Sequence, residues 1–371
     1  MDVVSLTRKL ISFNTVNPPG NEGEIARFTG NLLADHGFKV EYQVYSGSRL
    51  HMIAEKGIVP GKAPLILSGH FDTVPPGNIS WNVDPFAGDV HEGKIWGRGS
   101  SDMKGGLAAM ATAAIEAFNE KPPSCGVKLI FTADEEPGCP GILQLVSISK
   151  EPPEASAIII GEPTSNLPAT GHKGAIYLKA RFKGKTAHSS MPEKGINAIY
   201  KAALAVVKIS EFKFEAERDQ LLGYPTINVG KIAGGQNLNS VADHAEFTVD
   251  IRTTTKVDHS EILKKLSSKI LIDAVIEKMT DLQPVFTSEE DPFVRLVYSI
   301  CGVEEHDKRF PLALPYLTEG AVLQKFFGGI PIVILGPGEP ETAHTANEFC
   351  YIDRLTESVR IYKEIILQWQ Q

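Results

Sequence analysis

Two histidines and a larger set of carboxylates fall in five short stretches of this chain. They are Gly69-His70-Phe71-Asp72-Thr73, Gly99-Ser100-Ser101-Asp102-Met103-Lys104-Gly105-Gly106, Ala133-Asp134-Glu135-Glu136, Gly161-Glu162-Pro163-Thr164 and Ala343-His344-Thr345-Ala346-Asn347-Glu348. Imidazole nitrogens with carboxylate oxygens are a donor set for Zn2+ or Co2+, and thiolates are not required. A pair of such ions roughly 3.5–4 Å apart needs a carboxylate that bridges them. Asp102 suits that place, being a short side chain in a glycine-rich turn. His70 and Asp72 are two residues apart, so in extended chain they point the same way. Asp72 would then accept the other ring N–H of His70 and fix its tautomer. Glu135 and Glu136 are adjacent and should point differently. One would bind metal while the other takes a proton from the attacking water. The chemistry implied is two-metal hydrolysis.

These residues are far apart in sequence, so the elements around them must bring them together. Largely apolar runs at 64–68, 126–132, 156–160 and 330–335 read as strands buried on both faces of a helix-covered sheet. Helices are expected at 1–13, 23–36, 104–118 and 353–368. His70, the Glu135-Glu136 pair and Glu162 each lie just past the carboxyl end of such a strand, and His344 lies in the loop beyond the last one. Open α/β sheets gather ligands outside those ends. From about residue 174 the order becomes strand 175–183, helix 197–209, strands 226–232 and 246–253, helix 260–270 and strand 272–278. That is the β-α-β-β-α-β of a small ferredoxin-like domain. The expected architecture is an α/β catalytic domain built from 1–174 and 284–371, a mixed sheet flanked by helices, with an inserted α+β domain at 175–283.

Bulk properties narrow the function. A chain of 371 residues favours two domains, and 42% hydrophobic with 22% charged residues is a globular composition. The net charge of −8 argues against nucleic acid or an anionic membrane as partner. No stretch nears the roughly 18 apolar residues of a membrane span, and no signal peptide is evident. Four cysteines without a close pair fit a reducing, cytoplasmic setting. Gly97-Arg98-Gly99-Ser100-Ser101-Asp102 begins like a dinucleotide fingerprint, but Asp stands where the third glycine belongs and would repel phosphate. His36, His51, His91, His244, His259 and His306 read as packed or surface residues, and His172 as part of a hinge.

The motifs together resemble the di-zinc amidohydrolase family of acetylornithine deacetylase, succinyl-diaminopimelate desuccinylase, aminoacylase and glutamate carboxypeptidase. The resemblance covers essentially the whole chain, including Asn17-Pro18-Pro19-Gly20-Asn21-Glu22 and Asp84-Pro85-Phe86. It implies a zinc-exopeptidase-like fold, two Zn2+ or Co2+ per subunit, and a lid and dimerisation role for the insertion. His70 and Glu162 would hold one metal, Glu136 and His344 the other, with Asp102 bridging. Glu135 would be the general base and Asp72 the orienting carboxylate. His188, in Lys185-Thr186-Ala187-His188-Ser189-Ser190, would stabilise the oxyanion in a partner subunit of a homodimer. Arg252 would grip the substrate's carboxylate and Asn239 would also bind substrate, although Ala242 departs from the family's usual proline. Thr318-Glu319-Gly320 is nearer the acetylornithine deacetylase pattern, and Glu319 would favour a cationic side chain. The substrate would be a small N-acyl amino acid or short peptide, N-acetylornithine first. A desuccinylase, a dipeptidase or carboxypeptidase, and a catalytically silent binding relative are the alternatives.

Overall fold

The computed structural model describes residues 1–149, 154–304, 307, 309–310 and 312–369, so His306 lies outside the described residues. Contacts divide the chain into two compact units. The first comprises Met1–Gly171, Phe286–Leu312 and Thr318–Gln371; the second comprises His172–Val285 with Ala313–Leu317.

The first unit is built on one end of a nine-stranded mixed sheet. Its strands run, in spatial order, Lys39–Ser46, Arg49–Lys56, Val127–Thr132, Leu65–His70, Ala157–Ile160 and Ile332–Ile334. The first two form an antiparallel hairpin, and Arg49–Lys56 pairs antiparallel with Val127–Thr132. The remaining neighbours pair in parallel, with His70 opposite Thr132 and Ser68 opposite Ile160. Their carboxyl ends therefore open on one side. Every residue of Leu65–His70, Ala157–Ile160 and Ile332–Ile334 is buried, which is why these strands read as unbroken apolar runs. Helix Lys104–Glu120 packs against this sheet and against the long helix Ile352–Gln368 within one apolar core. Its approach is close: a Cβ on Gly106 would stand 2.2 Å from the carbonyl oxygen of Gly161, so only glycine fits there. A small sheet of Asp89–His91, Lys94–Trp96 and Phe349–Tyr351 pairs Trp96 with Phe349, setting the loop after Trp96 beside the loop before Phe349.

The second unit has the element order β-α-β-β-α-β, with strands Gly174–Lys183, Thr226–Gly234, His244–Thr253 and Ala274–Leu282 and helices Ala198–Ser210 and His259–Lys269. All neighbouring strands are antiparallel, and Thr226–Gly234 lies at one edge. Strand His244–Thr253 alternates between buried and half-buried residues along most of its length, and its apolar side joins Ala198, Ala202, Ala205 and Ile209 of the first helix. The expected insertion, 175–283, falls inside this unit, while 313–317, read as part of the first domain, groups with it.

Candidate metal centre

Each candidate ligand is set by the end of an element. His70 is the last residue of its strand, Glu162 lies two residues past Ala157–Ile160, and the Glu135-Glu136 pair follows Val127–Thr132. Asp102 precedes helix Lys104–Glu120, joined to Met103 by a cis peptide bond. His344, with φ at +62°, lies in the loop that the small sheet holds beside the Asp102 loop. Asp134 is likewise in the left-handed region, φ +65°, and turns the chain out of the sheet just before Glu135.

The side chains converge in two triads that share one residue. His70, Asp102 and Glu162 place ligand atoms within 4.8 Å of one another, and so do Asp102, Glu136 and His344. The two oxygens of Asp102 are divided between them: Oδ1 is 3.2 Å from His70 Nε2, and Oδ2 is 3.2 Å from His344 Nε2. Glu162 Oε1 lies 3.6 Å from His70 Nε2, and Glu136 Oε2 lies 3.1 Å from His344 Nε2. His344 is half exposed, whereas His70 is buried, so the second triad is the more open to solvent.

Among the described residues, the ion pairs of Asp102, Glu136 and Glu162 are all to imidazoles, with no Lys or Arg within reach. The buried glutamates therefore resist ionisation, whereas Asp102 does not. Burial, with Glu136 and Asp72 adding and His70 opposing, pushes Glu135 up to about 8. Burial and Asp102 raise Glu136 and carry Glu162 well above the ordinary carboxylate value. Asp102, against burial, is held low by the two imidazoles, and His344 is pushed up to about 11 by Asp102 and Glu136. Buried acids without basic side chains need protons or cations to neutralise them. Two converging nitrogen-and-oxygen triads sharing a bidentate carboxylate fit a pair of divalent cations.

Glu135 belongs to neither triad. Its N–H donates to Asp72 Oδ1 at 3.0 Å, and its Oε1 accepts from Cys139 Sγ at 3.2 Å. The expected carboxylate hold of Asp72 on His70 needs correction: His70 Nδ1 lies 3.0 Å from the Asp72 carbonyl oxygen and 3.6 Å from its carboxylate. Asp72 orients the ring mainly through its backbone, and its carboxylate collects the N–H groups of Glu135 and Glu136. Glu319 is also corrected. It is fully buried, accepting hydrogen bonds from Thr132 Oγ1 and Ser68 Oγ, so it has no exposed atom to meet a cationic substrate.

In the second unit, His188 is exposed, its Nδ1 2.7 Å from Ser190 Oγ, and it bridges to Ser240 beside the exposed Asn239. Arg252 already gives Nε and Nη2 to Asp250 at 2.8 and 3.0 Å, so a substrate carboxylate would meet a guanidinium with two donors engaged. Sequence reading missed the buried pair Arg98–Glu348. Glu348 Oε1 accepts the N–H groups of Gly99, Ser101 and Asp102 at 3.1, 2.8 and 3.0 Å, while Oε2 takes Arg98 Nη1. Arg98 Nη2 donates to the carbonyls of Pro75 and Thr345, tying the Asp102 and His344 loops together. Both residues lie inside the motifs, but only the pairing reveals what they do.

The chain is 29% identical to acetylornithine deacetylase of Aliivibrio fischeri over 370 residues, covering 96% of this chain and 94% of that protein. It is equally 29% identical to a probable succinyl-diaminopimelate desuccinylase of Staphylococcus epidermidis over 401 residues, covering 98% and 96%. In structure it is similar to an M20 family metallo-carboxypeptidase from Sulfolobus solfataricus, with a TM-score of 0.83, 20% identity and 99% of each chain covered. The family described as peptidase family M20/M25/M40 matches residues 66–368, and with the triads assembled inside that span, the chain belongs to this family of amide-bond hydrolases.

Proposed function

We propose that this chain is a di-metal deacylase that hydrolyses the amide bond of small N-acylated amino acids, with N-acetylornithine as the leading substrate. The observation that carries the reading is the division of Asp102 between His70 and His344, a bridge between two triads. His70, Asp102 and Glu162 would hold one Zn2+ or Co2+, and Asp102, Glu136 and His344 the other. When bound, such a pair polarises the scissile carbonyl and makes water more acidic. Glu135 takes the water proton as the new C–O bond forms, then gives it to the leaving nitrogen as the C–N bond breaks. Asp72 keeps Glu135 in place through its N–H. His188 would supply an N–H to the oxyanion, while Asn239 and Arg252 would take the substrate's polar end.

With Glu319 buried, the preference for acetylornithine rests on the relatives' names. Succinyl-diaminopimelate and dipeptides stand as the competing substrates. The second unit would serve as lid and dimer contact, a second copy being its occupant. Tyr200, Leu204 and Val207, spaced along one helix face, are 69%, 66% and 55% exposed, beside the unpaired edge of strand Thr226–Gly234. The four free cysteines suit a cytoplasmic protein. The deciding experiment offers the zinc- or cobalt-loaded protein N-acetylornithine, N-succinyl-diaminopimelate, neutral N-acetyl amino acids and dipeptides, and measures released amine. Chelator-sensitive turnover led by N-acetylornithine is expected; preference for another member reassigns the substrate, and no turnover by fully loaded protein refutes the deacylase reading.

A further inference from the structure

The segment from Asn17 to Glu22 has no task in the site so far, yet it reaches the acids directly. Asn17 is buried and donates from Nδ2 to two carboxylates, Asp72 Oδ2 at 2.8 Å and Asp134 Oδ1 at 2.7 Å. Asp134 is held further by the Tyr45 hydroxyl at 2.5 Å and by Arg49 Nη2 at 2.7 Å. Arg49 also forks onto Glu22, with Nε to Oε2 at 2.7 Å and Nη2 to Oε1 at 2.6 Å. Gly20 lies against that guanidinium: a Cβ there would stand 2.3 Å from Arg49 Cζ, so any side chain would displace the fork. A continuous path thus runs from Glu22 through Arg49, Asp134 and Asn17 to Asp72.

The far end of that path sets the backbone of the catalytic acids. Asp72 accepts the N–H groups of Glu135 at 3.0 Å and of Glu136 at 3.2 Å. Asp134, whose left-handed φ turns the chain, precedes them directly. A non-glycine residue in that region is strained, aspartate less than most, so the turn persists where its surroundings hold it. Two acids facing one another across an amide repel unless the amide gives each a hydrogen and a cation sits alongside. Asn17 and Arg49 supply those two requirements. None of the four residues Asn17, Glu22, Tyr45 and Arg49 is in either triad.

We propose that Asn17, Tyr45, Arg49 and Glu22 form a positioning bracket that fixes the Asp72 and Asp134 carboxylates, and through them aims Glu136 for cation uptake and holds Glu135 beside it. The inference rests on the di-metal reading of the site, but its test needs no substrate. Metal-stripped full-length protein is titrated with Co2+, and affinity and the visible absorption band are compared among the wild type, Asn17→Ala, Asn17→Asp and Tyr45→Phe. Partners behind metal ligands are typically worth about 10–100-fold in affinity. Asn17→Ala should weaken Co2+ uptake by about that much and shift the band. Asn17→Asp, the same size but with an acceptor facing two acids, should be worse than alanine, the reverse of what simple packing demands. Tyr45→Phe, which removes one hydroxyl and is expected to fold, should weaken uptake by about 3- to 10-fold. Wild-type affinity and band in both Asn17→Asp and Tyr45→Phe overturn the bracket alone. Failure of the wild type to take up Co2+ overturns the di-metal reading and the bracket with it.

Discussion

Glu135 and Glu136 are neighbours with the same side chain and different surroundings. Glu136 faces His344 and accepts the N–H of Val74 at 3.2 Å, whereas Glu135 faces Cys139 and stands outside both triads. Glu135→Gln should therefore keep two cations per chain and lose about 10²–10⁴-fold in turnover, the range of a general base. Metal analysis by atomic absorption beside steady-state kinetics checks this, and stoichiometric metal loss would make Glu135 a ligand instead. His344→Ala should leave the buried triad of His70, Asp102 and Glu162 intact and bind a single cation. The ligand candidates were legible because His70, Glu136 and Glu162 lie at or just past the ends of apolar runs and all five fall in recognisable motifs. Glu319 was misread for a physical reason: acids are usually solvated, and its burial depends on hydroxyls at Thr132 and Ser68, 187 and 251 residues away.

At the scale of elements, the loop between strand Lys94–Trp96 and helix Lys104–Glu120 is shaped by one side chain from another part of the chain. Glu348 gathers three of its N–H groups and the Arg98 guanidinium, all buried. Glu348→Ala would leave Arg98 buried without its partner, a loss of about 3–5 kcal/mol. A lower unfolding midpoint of the metal-free protein, with weaker cation binding, is the expected result; an unchanged midpoint would show that the loop holds itself. The buried strands and the helices Gly23–Asp35, Lys104–Glu120 and Ile352–Gln368 were readable from apolar pattern and composition. The hairpin Lys39–Ser46 and Arg49–Lys56 was not, since its first strand is a half-exposed edge and its second carries charged residues at both ends. Helix Pro140–Ile148 was missed too, because it starts after the left-handed Cys139 rather than after a polar cap.

Across the whole molecule, one buried histidine in each unit makes stability depend on pH. His51 accepts the Ala133 N–H through Nδ1, and His172 sits fully buried with Nδ1 against the Lys173 carbonyl. Burial lowers both to about 4, against roughly 6.5 in an unfolded chain. Below pH 6.5 the unfolded chain binds more protons, so stability present above 6.5 is lost as pH falls toward 4, on the order of 2–3 kcal/mol for each. Because the raised Glu135, Glu136 and Glu162 of the metal-free protein act in the opposite sense as pH falls, the test is a difference. In urea titrations at several pH values the wild type should lose stability relative to His172→Gln from pH 6.5 toward 4, and an unchanging difference would clear His172 of the effect. The first unit is also discontinuous in sequence. Strand Ile332–Ile334 pairs along Ala157–Ile160, and the second triad waits for His344, yet the whole inserted unit lies between. During synthesis the ribosome therefore releases His70, Asp102, Glu136 and Glu162 long before the strand that pairs along Ala157–Ile160. Until residue 332 emerges, Ala157–Ile160 presents an open edge, and until residue 344 emerges the solvent-facing triad lacks its imidazole. Protease resistance of the first unit should thus appear late in stalled nascent chains, between those that end before 332 and those that have released 344, and resistance at residue 285 would refute this order.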